Sequence, residues 1–129
     1  MSITITNVTV AGGMIFEVQP PDNLYSFTNF TFTNGNSVGQ YGPTTSNLRA
    51  LYNTSANTWI NNDSYFGTDN GIQLWTVPQT ASYNITVAGA SGGNNISGAS
   101  AGNIGGAGAL ITTTVSLTQG QQLAIVVGQ

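Results

Sequence analysis

An all-β fold, an antiparallel β-sandwich or jelly roll with one short helix and a glycine-rich insert, is predicted for this chain on three observations. Segments in which apolar and polar residues alternate recur at positions 2–10, 72–77, 83–90, 109–117 and 122–127, and period two marks a strand with one buried face. Turn formers punctuate them, with Asn34-Gly35-Asn36, Gly42-Pro43, Pro78-Gln79-Thr80 and Gln119-Gly120 between the runs. Threonine supplies 18 of the 129 residues and asparagine 15, and threonine suits the pleated, half-buried surface of a sheet. A chain of this length makes one domain with a modest core.

Taken in order, residues 2–10 place Ile3 and Ile5 on one side and Thr4, Thr6 and Val8 on the other, which predicts a first strand. Gly12-Gly13 breaks it, residues 14–18 form a candidate return strand, and Pro20-Pro21 stiffens the chain beyond. Residues 1–23 are read as an anchoring arm that adds a strand to a neighbour by main-chain pairing; an ordinary first hairpin of the same domain is the alternative. The main domain then spans 24–129. It opens on LYSFTNFTFT, where Tyr25 and Phe27 share one parity and Phe30 and Phe32 the other. Burying all four rings requires a bulge or bend near Thr28 and Asn29.

A helix comes next. In TTSNLRALYN, Leu48, Leu51 and Tyr52 fall at helical spacing, and Thr44, Thr45 or Ser46 is available as N-cap. Arg49, the single cation, is read as structural, bound to terminal carbonyls or to an acid. Residues 53–70 are turn-rich and hold Trp59, Tyr65 and Phe66 among Asn and Asp. Rings stack on sugar faces while amides and carboxylates read hydroxyls, so Trp59, Tyr65, Phe66 and Asp63 form the candidate ligand-contact set. An anchored core loop would use the same residues. Asp63 and Asp69 are too few for a calcium site and no EF-hand loop is present.

The remaining strands are expected at 72–77, 83–90, 109–117 and 122–127, joined hairpin after hairpin, with Tyr83, Ile85 and Val87 on one face and Ile111, Thr113, Val115 and Leu117 on another. Between the second and third lies a stretch with glycine at 89, 92, 93, 98, 102, 105, 106 and 108. It offers no hydrophobic stripe, and its unfolded entropy resists ordering. A phosphate-binding loop would need a helix after it and usually a lysine. Here the next element is a strand and the chain has no lysine, so the segment is read as architecture, a loop or extended glycine helices.

Composition also removes whole classes of chemistry. The chain has one Arg, four acids, no His and no Cys, and a net charge of −3. Without His or Cys the common zinc sites and nucleophilic triads cannot be built, so neither catalysis nor a cofactor or metal is expected. One arginine cannot neutralise the phosphates of a nucleic acid or grip an anionic membrane. No run approaches the ~18 apolar residues of a membrane span. The opening residues lack a secretory leader, so a chain starting at Met1 is expected to be made in the cytosol.

The run GIQLWTVPQTASYNITVAGASGG, together with the later GGAGALITTTVSLTQGQQLAIVVGQ, resembles the glycine-rich domain in the ectodomain of anaplastic lymphoma kinase and related receptors, segments of which also occur in phage and algal-virus structural proteins. The likeness rests on Trp75, Val77, Pro78, Thr80 and Tyr83, then Gly89-Ala90, Gly92-Gly93, Gly106-Ala107 and residues 123–129, and upstream, where the viral versions are most similar, on YSFTNFTFTN, Gly42-Pro43-Thr44 and Leu48 to Tyr52. It covers residues 24–129 and implies a jelly-roll core of the tumour-necrosis-factor kind with inserted polyglycine-II helices. The insert here is short and diluted by Asn and Ser, and the chain stops at Gln129 where relatives continue, so a domain truncated at its C-terminus is expected. The absence of cysteines and of a membrane span favours the viral branch. The resemblance therefore implies a virion structural module, a fibre, spike or capsid decoration exposed on the particle surface. It would be joined to other virion proteins through its arm, trimeric, and able to touch a host glycan. The alternative is a secreted or cell-surface carbohydrate-binding module.

Overall fold

The computed structural model describes residues 1–8, 23–93 and 105–128. The candidate strand at 14–18, the charges of Glu17 and Asp22 and the middle of the glycine-rich insert lie outside them. In chain order the elements are β1 (Ser2–Val8), β2 (Asn29–Phe32), α1 (Thr45–Tyr52), a 3-10 turn at Thr58–Asn61, β3 (Phe66–Asp69), β4 (Ile72–Thr76), β5 (Ala81–Ala88), β6 (Leu110–Leu117) and β7 (Gln122–Ile125). Two antiparallel sheets result, one ordered β2-β1-β5-β6 and the other β3-β4-β7. The fold is thus an all-β sandwich with one helix. The described residues supply four strands and three, against the eight of a jelly roll.

The sheets meet over an aromatic core. Ile5, Phe30, Phe32, Tyr83 and Leu117 come from the first sheet and Phe66, Trp75 and Ile125 from the second, all buried. Trp75 bridges them, with ring centroids 5.8 Å from Tyr83 and 6.3 Å from Phe32 in edge-to-face contacts, each worth about 0.5–1.5 kcal/mol beyond the area buried. The phase slip among the four rings of 24–33 is resolved as required: the backbone bends at Thr28 and the strand begins only at Asn29. Helix α1 takes Thr44 as N-cap, its hydroxyl accepting from Asn47 N, and buries Leu48 and Tyr52 while Leu51 faces solvent.

Ser2–Val8 is not part of a detached arm. β1 lies inside its sheet, pairing with β2 on one edge and β5 on the other, and Ile5 is 1% exposed. Alternation revealed the strand but not its partners, which lie about 25 and 80 residues away in sequence, a separation whose loop-closure cost grows only logarithmically.

The outer face of that sheet is built from uncharged polar side chains in register. Thr31, Thr4, Thr86 and Thr112 form one row across all four strands, and Asn29, Thr6, Asn84 and Thr114 the next. Hydroxyls bond across the rows, Thr4 to Thr31 and Thr86 to Thr112 at 2.9 Å, and Thr114 Oγ1 donates to Asn84 Oδ1 at 2.7 Å. Such cross-strand pairs contribute about 0.2–1 kcal/mol each, and they give this face its polarity without charge.

The hairpin-after-hairpin expectation needs correcting at two joints. The chain passes from one sheet to the other at residues 77–80 and back at 118–121. These crossings bind one another: Val77 N donates to Gln121 O, Gly120 N to Val77 O, and Gln119 N to Thr80 Oγ1. One true hairpin falls where none was expected, at Asn70-Gly71 between β3 and β4. Both residues have positive φ, as the two-residue turn that suits strand twist demands.

Beyond the ends of β5 and β6 the chain keeps its register but changes its period. Gly89 N donates to Ala109 O at 2.7 Å and Gly92 N to Gly106 O at 2.8 Å. The contacts recur every third residue, the period of an extended three-residue helix rather than of a strand. A Cβ built on Gly108 would stand 2.2 Å from Gly89 O, and one on Gly105 would stand 2.1 Å from Gly92 O. Glycine is therefore required at these two positions by close backbone approach.

Candidate functional site

An open cleft of about 530 Å³ is lined by residues 25–28, by residues 55–59 and Asn62 of the following loop, and by Tyr65. Its size falls in the range of small-ligand sites, roughly 300–1,000 Å³. The lining is aromatic and uncharged polar: Tyr25, Phe27, Trp59 and Tyr65, with Ser26, Thr28, Ser55, Asn57, Thr58 and Asn62.

Local sequence sets this loop. Asn62 nucleates the turn after the 3-10 segment, its Oδ1 accepting from Ser64 N and its carbonyl from Tyr65 N and Phe66 N. Thr76 then pins the loop to β4, its N–H bonding Tyr65 O and its hydroxyl Ser64 O at 2.9 Å. Facing it, the Tyr25 hydroxyl donates to Thr76 O, and Leu24 N donates to Pro78 O. Both walls of the cleft therefore hang from one strand.

Burial pushes the Tyr25 phenol far above its ordinary value of 10.0. The Trp75 indole beside it pulls the other way, although its buried Nε1 has no hydrogen-bond partner among the described residues. Tyr83 is raised by burial too, with its hydrogen bond to Gln79 O opposing the shift. Both phenols stay neutral, so this part of the molecule holds polar but uncharged groups across the physiological range.

The four residues expected to form a contact set are separated by the structure. Trp59 and Tyr65 line the cleft; Phe66 and Asp63 do not. Phe66 is a core residue, packed on Tyr52 and Trp59. Trp59 is itself only 4% exposed, and Tyr25 stacks on it at 5.1 Å with the rings 18° apart. Its ring contributes an edge, not a free platform. Tyr25, with Ser26 and Thr28, was legible only as part of an aromatic run; the tertiary fold brings it to the loop some 30 residues on.

Asp63 has another task. Its Oδ1 accepts from Arg49 Nη2 at 2.7 Å, while Arg49 Nε donates to Ile60 O at 2.8 Å and Nη2 to Phe66 O at 3.1 Å. Arg49 is thus a clamp joining α1 to the 3-10 turn and β3. With Asp63 91% exposed, the ion pair contributes about 0–1 kcal/mol. The carbonyl bonds from a charged donor matter more, at about 1.5–3 kcal/mol. Arg49→Ala is expected to lower the denaturant midpoint several times more than Asp63→Ala; equal effects would assign the stabilisation to the ion pair instead.

Among the described residues no group of three or more acids, His or Cys could hold a metal, and no helix is long and apolar enough to cross a membrane. What the cleft offers chemically is ring surface, hydroxyls and amides. The Asn57 side chain makes no hydrogen bond to the turn it caps and is available to a ligand. No family model matches the chain, and no solved structure matches it.

Proposed function

We propose that this domain is a non-catalytic module of a virus particle, displayed on its surface as part of a fibre, spike or capsid decoration, and that its cleft contacts uncharged carbohydrate. The observation that carries the binding half is the lining of that cleft, in which Tyr25 and Tyr65 rings lie among Ser26, Thr28, Ser55, Asn57 and Asn62 with no charged side chain. Aromatic faces with a few convergent polar groups are what small neutral ligands require. The particle half is supported by the resemblance of residues 24–129 to viral structural segments, and by a surface whose polarity rests on hydroxyls and amides that salt does not screen. A partner engaged through main-chain pairing has to use an edge other than β1, because both edges of that strand are occupied.

The same cleft favours a second reading, a secreted or cell-surface carbohydrate-binding module. A glycan array of the parent chain beside Asn57→Ala and Thr28→Ala tests the shared step. Binding by the parent, weakened in both variants at unchanged melting temperature, is the expected result, whereas a parent chain silent on the array removes the glycan role. Mass spectrometry of purified particles from the source then separates the two carriers: the chain at structural copy number supports the virion, and its absence there leaves the cell-surface module.

A further inference from the structure

Among the described residues the sandwich has four edges, and three of them are short. β2, β3 and β7 each run four residues. β6 runs eight, pairs with β5 without a bulge from Leu110 to Leu117, and among the described residues ends its sheet. An edge strand presents unpaired N–H and C=O groups, and proteins blunt such edges by shortness, charge, proline or a bulge. The sequence LITTTVSL uses none of these. At its start, moreover, Leu110 and Ile111 are 70% and 64% exposed.

We propose that β6 pairs with β6 of a second copy of this chain, antiparallel about a two-fold axis through Thr113, joining the two four-stranded sheets into one. The strand reads as its own complement about that residue. Directly opposed residues in an antiparallel pair share a face, so Ile111 meets Val115 on the core side and Thr112 meets Thr114 on the outer side. The exposed Ile111 thereby gains an apolar neighbour from a position that is itself half-buried. Moving the axis to Thr112 sets Ile111 against Thr113, and moving it to Thr114 sets Thr113 against Val115. A half-residue shift would turn the core face of one copy outward. Charge argues for the same occupant. A two-fold axis brings each surface against itself, so any charged side chain near it meets its like, and the chain has none from Asn70 to Gln129.

This interface is independent of the glycan and particle readings, and it replaces the trimer that the resemblance implies. The chain has no cysteine, so a single introduced thiol reports cleanly. Opposed Cα atoms in such a pair lie ~4.5–5.5 Å apart, a distance a disulfide spans. Sedimentation of the parent should give a dimer, and Thr113→Lys, which places like charges across the axis at a solvent-exposed position, should give a monomer with unchanged far-ultraviolet circular dichroism. Thr113→Cys should form a covalent dimer on mild oxidation while Thr31→Cys, on the opposite edge of the sheet, stays monomeric. A monomeric or trimeric parent, a Thr113→Lys variant that still dimerises, or equal cross-linking at positions 31 and 113 would overturn the proposal. Loss of the dimer with glycan binding retained would leave the function proposed for the cleft intact.

Discussion

Replacing Trp59 by alanine is expected to cost about 3–5 kcal/mol, a large share of the ~5–15 kcal/mol that holds a domain of this kind together. The indole is 4% exposed and touches four other rings: Tyr25 stacked at 5.1 Å, Phe30 edge-on at 5.2 Å, Phe27 at 6.0 Å and Phe66 at 6.1 Å. These come from the segment before β2, from β2 itself and from β3, so no single neighbour can move to fill the space. Urea denaturation of Trp59→Ala beside Tyr65→Ala, whose ring is only half-buried, measures the difference. A Trp59→Ala midpoint equal to that of the parent would mean that the ring is a surface platform after all. Because the variant is destabilised throughout, a lost glycan signal in it says nothing about binding; the cleft is better probed at Asn57 and Thr28.

Gly108→Ala should be the next most damaging, for a different reason. Its new methyl group would meet Gly89 O at 2.2 Å and Ala90 O at 2.7 Å, both backbone atoms that cannot rotate away. Relieving the overlap means parting the two glycine runs and breaking the bond from Gly89 N to Ala109 O. Forcing extra atoms into a tight site typically costs about 1–3 kcal/mol. Gly106→Ala is the matched control, since a Cβ there meets nothing within 4 Å, and it is expected to be neutral or to stabilise by about 0.4–1 kcal/mol through the unfolded chain. Melting temperatures of the pair decide the matter: equal shifts would show that the runs are not held in contact.

Most strands were legible because alternation is a local property. Residues 72–77, 109–117 and 122–127 matched β4, β6 and β7 to within two residues, and the capped helix lies where Thr44 and the Leu48–Tyr52 spacing place it. β3 was hidden inside a turn-rich stretch, although Asn70-Gly71 at its end carries a strong hairpin signal. The face assigned to β6 was right in parity and wrong in depth. Val115 and Leu117 pack inward, whereas Ile111 and Thr113 stand exposed. Half of the candidate site was legible as well. Trp59 and Tyr65 line the cleft, but Phe66 went to the core and Asp63 to Arg49; an aromatic among amides reads the same whether its ring faces solvent or other rings.

By itself the sequence determined the fold class, the helix and its cap, and the absence of His, Cys and Lys side chains. Each of these depends on side-chain type, parity or charge, which are properties of single residues and near neighbours. Only the tertiary structure decided that β1 lies between β2 and β5, that Arg49 reaches across to Ile60 and Phe66, that Tyr25 meets the loop carrying Trp59, that Gly105 and Gly108 sit against backbone, and that no other described strand pairs with the far side of β6. Period-two alternation states which side chains share a face and is silent on which strand lies alongside. Partner choice is settled by the simultaneous fit of many rings in one core, a condition that no local stretch of sequence contains.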